Sequence, residues 1–160
     1  MRKLLRQREI VADDWRYAGE PGAESAEAVI VPVAELRADA ARWAGSGGRL
    51  GVRVGPATRL DELVEFLPRL ALVAIEFPSP GDGRGYSLAR PLRDRYHFAG
   101  EVRAVGAVKR DQVFYMSRCG FDSFELAEGE DFEAARRALN LYSVAYQPRG
   151  VLQSTSAPHT

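Results

Sequence analysis

Leu72-Val73-Ala74-Ile75-Glu76-Phe77 is a short apolar run broken by one carboxylate, and it decides how this chain folds. The turn residues Pro78-Ser79-Pro80-Gly81 bound it, and helical periodicity follows from Tyr86 to Tyr96. A second run, Val102–Val108, comes after that. Strand, helix, strand at this spacing is the signature of a βα crossover unit in a parallel sheet. The same alternation extends in both directions. The strand candidates are Val29–Val33, Leu50–Val54, Leu72–Phe77, Val102–Val108 and Ser123–Leu126. The helix candidates are Ala34–Ala44, Arg59–Leu67, Tyr86–Tyr96, Arg110–Arg118 and Asp131–Tyr142. Five βα units predict an α/β fold with a mainly parallel sheet.

Five units are too few for a closed eight-stranded barrel, so the sheet is open or a partial barrel with an edge to cover. Homodimerisation across that edge, or the N-terminal segment lying over it, would cover it. Lys3–Ile10 and Trp15–Tyr17 are short extended patterns around the turn-prone Asp13-Asp14, which predicts a hairpin or arm. Residues 1–148 are expected to form one domain, and the Ser, Thr and Pro-containing stretch 149–160 a disordered tail. Pro91, inside the third helix pattern, predicts a kink or a late helix start.

The chain has 160 residues, 46% of them hydrophobic, enough to bury about 70% of the unfolded surface in one core. Its 22 basic and 22 acidic residues balance, so no overall field favours nucleic acid or an anionic membrane. One cysteine, Cys119, excludes an intrachain disulfide and a thiolate cage for zinc or iron–sulfur, and points to a reducing cytoplasmic setting. The two histidines, His97 and His159, join no ligand cluster, so no metal is expected. No apolar run approaches the length needed to span a bilayer.

Four strand candidates carry a charge at corresponding positions: Arg53, Glu76, Arg103 and Glu125, separated by 23, 27 and 22 residues. Such spacing predicts that all four leave one face of the sheet with alternating sign. Charges so placed need partners, which makes them either a structural ion network or a polar site. Glu76 is nearest the carboxyl end of its strand, where parallel sheets bind ligands, while Arg53 and Arg103 lie deeper.

Gly81, Gly83 and Gly85 alternate in the loop after Glu76, but neither the dinucleotide fingerprint nor the lysine of a phosphate loop is present. Asp82, Arg84, Tyr86, Arg90, Arg93, Arg103 and Arg118 are the candidates for holding an oxyanion, with Glu76 or Asp111 as acid or base. The competing possibility is a solvated helix face whose arginines pair with nearby carboxylates. Cys119, at a helix C-terminus, is expected to be inert.

The blocks Glu76-Phe77-Pro78, Asp82-Gly83-Arg84-Gly85-Tyr86-Ser87, Ala89-Arg90, Leu92-Arg93, Glu101-Val102-Arg103-Ala104-Val105-Gly106, Arg110-Asp111-Gln112 and Arg118-Cys119-Gly120-Phe121-Asp122 resemble a bacterial family, domain of unknown function 934. The resemblance covers about residues 1–148, with Pro91, Ala107 and Lys109 departing from it. Members are commonly encoded beside the assimilatory sulfite reductase haemoprotein and phosphoadenylyl-sulfate reductase, and some carry the label oxidoreductase. The resemblance therefore implies an accessory role in sulfite reduction, by docking to the reductase haemoprotein or assisting electron delivery. No flavin, haem or iron–sulfur motif is present, so no bound cofactor is expected. A small oxyanion-binding enzyme built on the Asp82–Tyr86 loop is the alternative.

Overall fold

The computed structural model describes residues 2–44 and 47–141, so the tail expected at 149–160 and His159 lie outside it. Its elements in chain order are β1 (Lys3–Arg6), β2 (Glu9–Ala12), β3 (Arg16–Tyr17), β4 (Ala28–Pro32), α1 (Val33–Ala38), α2 (Ala40–Ala44), β5 (Arg49–Val54), β6 (Leu72–Phe77), α3 (Tyr86–Asp94), β7 (Glu101–Gly106), α4 (Val113–Arg118), β8 (Ser123–Phe124) and α5 (132–141). One eight-stranded sheet runs β2-β1-β8-β7-β6-β5-β4-β3. All five predicted strands are present as β4 to β8. The sheet is nevertheless mixed rather than a set of five parallel units, because β1 pairs antiparallel with both β8 and β2, and β3 adds a parallel strand beyond β4.

The sheet is curled, for a reason visible in its connectivity. β2 and β3 are its two edges, yet only residues 13–15 join them. Laid flat, eight strands would separate those edges by roughly 34 Å. Four extended residue steps reach about 14 Å. The edges must therefore curve toward each other. Asp13-Asp14 is thus the bridge between the edges, and the hairpin turn falls at Gln7-Arg8, which corrects the expected turn position. The N-terminal segment is also more than an arm: Leu4 and Leu5 are fully buried.

Two-residue hairpin turns need left-handed backbone, usually supplied by Asn-Gly. Here Gln7 and Arg8 adopt φ of 52° and 68°, a conformation that costs a side-chain-bearing residue of order 1 kcal/mol.

The outer, convex face carries the main core. Val52, Val73, Ile75, Val102, Ala104 and Phe124 meet Ala89 and Leu92 of α3, Val113 and Met116 of α4, and Ala135 and Leu139 of α5. α3 begins at Tyr86, so the late start that Pro91 suggested does not occur, and it runs through Pro91 to Asp94, where the backbone N–H of Arg95 donates to the Pro91 carbonyl. The expected helix at Arg59–Leu67 is replaced by 3-10 turns at Leu60–Glu62 and Leu67–Arg69. Its hydrogen bonds close over three residues, as from Glu62 to Arg59 and Phe66 to Leu63, and Pro68 supplies no donor to continue a ladder. Ala34–Ala44 divides at Asp39, whose carboxylate accepts from the Arg42 N–H at 3.2 Å and so starts α2. α4 starts three residues late because Gln112 folds back onto the Lys109 N–H at 3.0 Å.

The inner face has a small apolar floor of Trp15, Ala28, Ile30, Leu72, Ala74 and Val105. Gly51 makes room for it: a Cβ there would stand 3.2 Å from the rings of Trp15 and from Ile30 and Leu72. Among the described residues, no helix is long and apolar enough to cross a membrane.

Candidate functional site

Register places the four strand charges together. Arg53 pairs with Ala74, Ala74 with Arg103, and Arg103 with Ser123, so these side chains leave one face. Glu76 and Glu125 lie two residues beyond Ala74 and Ser123, on the same side. That side is the concave one. Curling brings the opposite edge of the sheet to them.

Arg103 is wholly buried and forms the centre. It donates to Asp13 Oδ2 at 3.2 Å, and through Nε and Nη2 to Glu101 Oε2 at 3.2 and 3.1 Å. The Ser123 hydroxyl donates to the same Glu101 oxygen at 2.6 Å, and Asp13 Oδ1 accepts from the Trp15 N–H. Nearer the carboxyl ends of the strands, Tyr17 donates to Glu125 at 3.3 Å, while the Arg2 and Arg53 guanidiniums lie 4.7 and 5.3 Å from its ring centre. Arg2 also approaches Glu125 at 3.2 Å and Asp13 at 3.3 Å, and grips Glu20. Arg53 pairs with Glu76 at 2.8 Å, each side chain about a third exposed at the rim.

These contacts shift two groups. Burial pushes the Tyr17 hydroxyl well up, aided by the Glu125 charge. Burial also raises Glu125, opposed by Arg2 and Arg103. Three guanidiniums, Arg2, Arg53 and Arg103, are shared among five carboxylates, Asp13, Glu20, Glu76, Glu101 and Glu125, so the network is ion-paired with acidic groups in excess. Sequence reasoning missed Arg2, Asp13, Tyr17 and Glu101. Asp13 carried a signal, a carboxylate two residues from Trp15, but only the curl shows that it faces Arg103.

The loop after β6 is a separate surface. Arg84 chelates Asp82, with Nε on Oδ1 at 3.0 Å and Nη2 on Oδ2 at 2.7 Å, and its backbone N–H adds a third bond. These hydrogen bonds hold the Asp82 carboxyl down to about 2. Tyr86 packs its ring on Phe77 and on Tyr115, each at 5.2 Å between centres, and its hydroxyl accepts from Gln112. The Gln112 amide also donates to the Pro80 carbonyl, tying α4 to the loop. Burial, then the Cys119 charge, raises the Tyr86 hydroxyl. Gly85 serves packing: a Cβ would meet the Phe77 ring at 2.9 Å.

The remaining candidates are spread out. Arg90 donates to the Arg118 carbonyl, and the Arg118 guanidinium lies over the Phe114 ring. Arg93 donates to the Phe98 carbonyl and pairs with Asp122 at the opposite, amino end of the strands. Asp111 is exposed in the turn before α4, where its charge reaches Tyr86, whereas Glu76 pairs with Arg53 on the concave face. Glu76 and Asp111 therefore belong to different surfaces, and Arg103 lines neither the loop nor α3. Cys119 is half-buried. Among the described residues, no group of three His, Cys, Asp or Glu side chains is placed to hold a metal ion.

Residues 51–156 match the model of the family described as bacterial protein of unknown function, domain of unknown function 934, and the chain belongs to that family. No curated protein matches the chain.

Proposed function

We propose, from this family membership, that the protein is an accessory factor of assimilatory sulfite reduction that docks to the sulfite reductase haemoprotein. The sulfite-reducing setting is the one that the resemblance of the Glu76–Asp122 blocks implies. The observation that favours docking over capture of a free oxyanion is the state of the loop arginines. Arg84 is chelated by Asp82, Arg90 is spent on a carbonyl, and Arg93 pairs with Asp122. Beside this neutral loop stands Tyr115, 59% exposed yet stacked on Tyr86. A rigid, exposed tyrosine flanked by satisfied polar groups is the usual composition of an interface anchor. Bound to a partner, it would bury a large amphipathic ring at little cost in side-chain freedom.

Electron flow from a reduced donor through the purified haemoprotein to sulfite tests the proposal. Adding this protein raises the rate and saturates near equal concentrations. Tyr115→Ala shifts that saturation to at least tenfold higher concentration, while the protein still melts cooperatively with only the small loss expected for the Tyr86 ring contact. A rate indifferent to the wild-type protein overturns the accessory role.

A further inference from the structure

At the amino ends of the strands lies a cleft of about 540 Å³ lined by Arg6, Arg8, Arg93, Glu101, Ser117 and Asp122. Its volume is that of a small-molecule site. Three guanidiniums face two carboxylates, and both carboxylates have prior partners. Glu101 Oε2 is taken by Arg103 and Ser123, leaving Arg6 a loose approach to Oε1 at 3.7 Å. Asp122 Oδ2 accepts from the Val102 N–H at 2.8 Å and from Arg93. Among the described residues Arg8 has no ion pair and no hydrogen-bond partner. The cleft thus retains positive charge.

A second observation concerns how Arg8 is presented. It and Gln7 occupy the two left-handed positions of the β1–β2 turn, where glycine is the residue of lowest strain, and both line the cleft. Strain held at a site where a side chain is offered to a cavity is a mark of function. The floor adds a hydroxyl, Ser117, and the rings of Phe121 and Phe124.

We infer that this cleft binds a phosphate or sulfate ester of a small organic molecule. Arg8 and Arg6 hold the oxyanion through charge-assisted hydrogen bonds, and the organic part lies toward Ser117 and Phe121. The site stands apart from the Tyr115 surface, at the other end of the strands, and does not rest on the proposed docking role.

Calorimetric titration of the full chain at low salt, with inorganic phosphate, inorganic sulfate, glucose 6-phosphate and AMP as probes, tests the assignment. At least one ester binds saturably and tenfold or more tighter than either inorganic ion. Arg8→Gly removes the guanidinium and relieves the backbone together, so affinity falls at least tenfold while the melting temperature stays level or rises. Arg6→Gln weakens binding in the same sense, and Arg84→Ala, at the opposite end, leaves it intact. No saturable binding of any probe, equal affinity for ions and esters, or Arg8→Gly binding as wild type each overturns the inference.

Discussion

The two faces of the curled sheet solve burial in opposite ways. On the convex face, strands meet helices through Val, Ile, Phe, Leu and Met, and each contact is non-directional and tolerant of small shifts. On the concave face, among the described residues, there is no helix layer. A floor of six apolar residues supports charges that face one another across the curl. The comparison teaches that the curvature, rather than a covering element, removes Arg103 from water: Glu101 of its own strand supplies one counter-ion, and the curl brings the other, Asp13, from the bridge between the edges.

Arg103→Ala tests that difference hardest. Removing Arg103 takes from Asp13 and Glu101 their one wholly buried counter-charge, leaving only the more exposed Arg2 and Arg6, and stability falls by about 3–5 kcal/mol. Urea denaturation reads it as a lower midpoint. A loss under 1 kcal/mol would mean that the concave face is wetter than its geometry implies. On the convex face Leu92→Ala removes a wholly buried side chain and costs about 2–4 kcal/mol through transfer and cavity terms, insensitive to salt and pH. Equal pH sensitivity of the two variants would erase the contrast between the faces.

Glu125→Gln gives the smallest effect and the sharpest sign. Burial raises the folded carboxyl above its ordinary value near 4.5, so the native state holds its proton longer than the unfolded chain. Stability from this group is full below that ordinary value and is lost as pH rises through the folded one. Thermal melts followed upward from the ordinary carboxyl value should therefore fall less steeply in Glu125→Gln than in wild type. Asp82 works in the opposite sense: its carboxyl is held down to about 2 by Arg84, and its contribution is lost only as pH falls toward that value. An unchanged slope in Glu125→Gln would show that Arg2 and Arg103 outweigh the burial.

Period-two placement of Arg53, Glu76, Arg103 and Glu125 was legible because side chains alternate along a strand and each βα unit resets the same register. Helix starts were less so. Gln112 folding onto Lys109 and Asp39 capping α2 are local choices between a side-chain and a backbone acceptor, nearly balanced in energy. The loop arginines were legible as charges, but whether Arg84 meets a ligand or Asp82 depends on a turn of two residues. Arg93, grouped by helical spacing with Tyr86 and Arg90, lies near the other end of α3, since the seven-residue step from Tyr86 carries it about 10 Å along the axis.

From the sequence alone came the parallel strands β4 to β8, the shared face of their charges and the family. The strands and the shared face follow from periodicity, which acts over a few residues, while the family follows from the resemblance of the linked blocks between Glu76 and Asp122. The closure of Asp13 on Arg103, the stacking of Arg2 and Arg53 on Tyr17 and the gathering of Arg6, Arg8 and Arg93 around one cleft were decided only in three dimensions. They join residues up to 90 positions apart, as Asp13 and Arg103 are. The three-residue bridge from β2 to β3 is what forces the sheet to curl, and no local pattern of residues encodes which edges it joins.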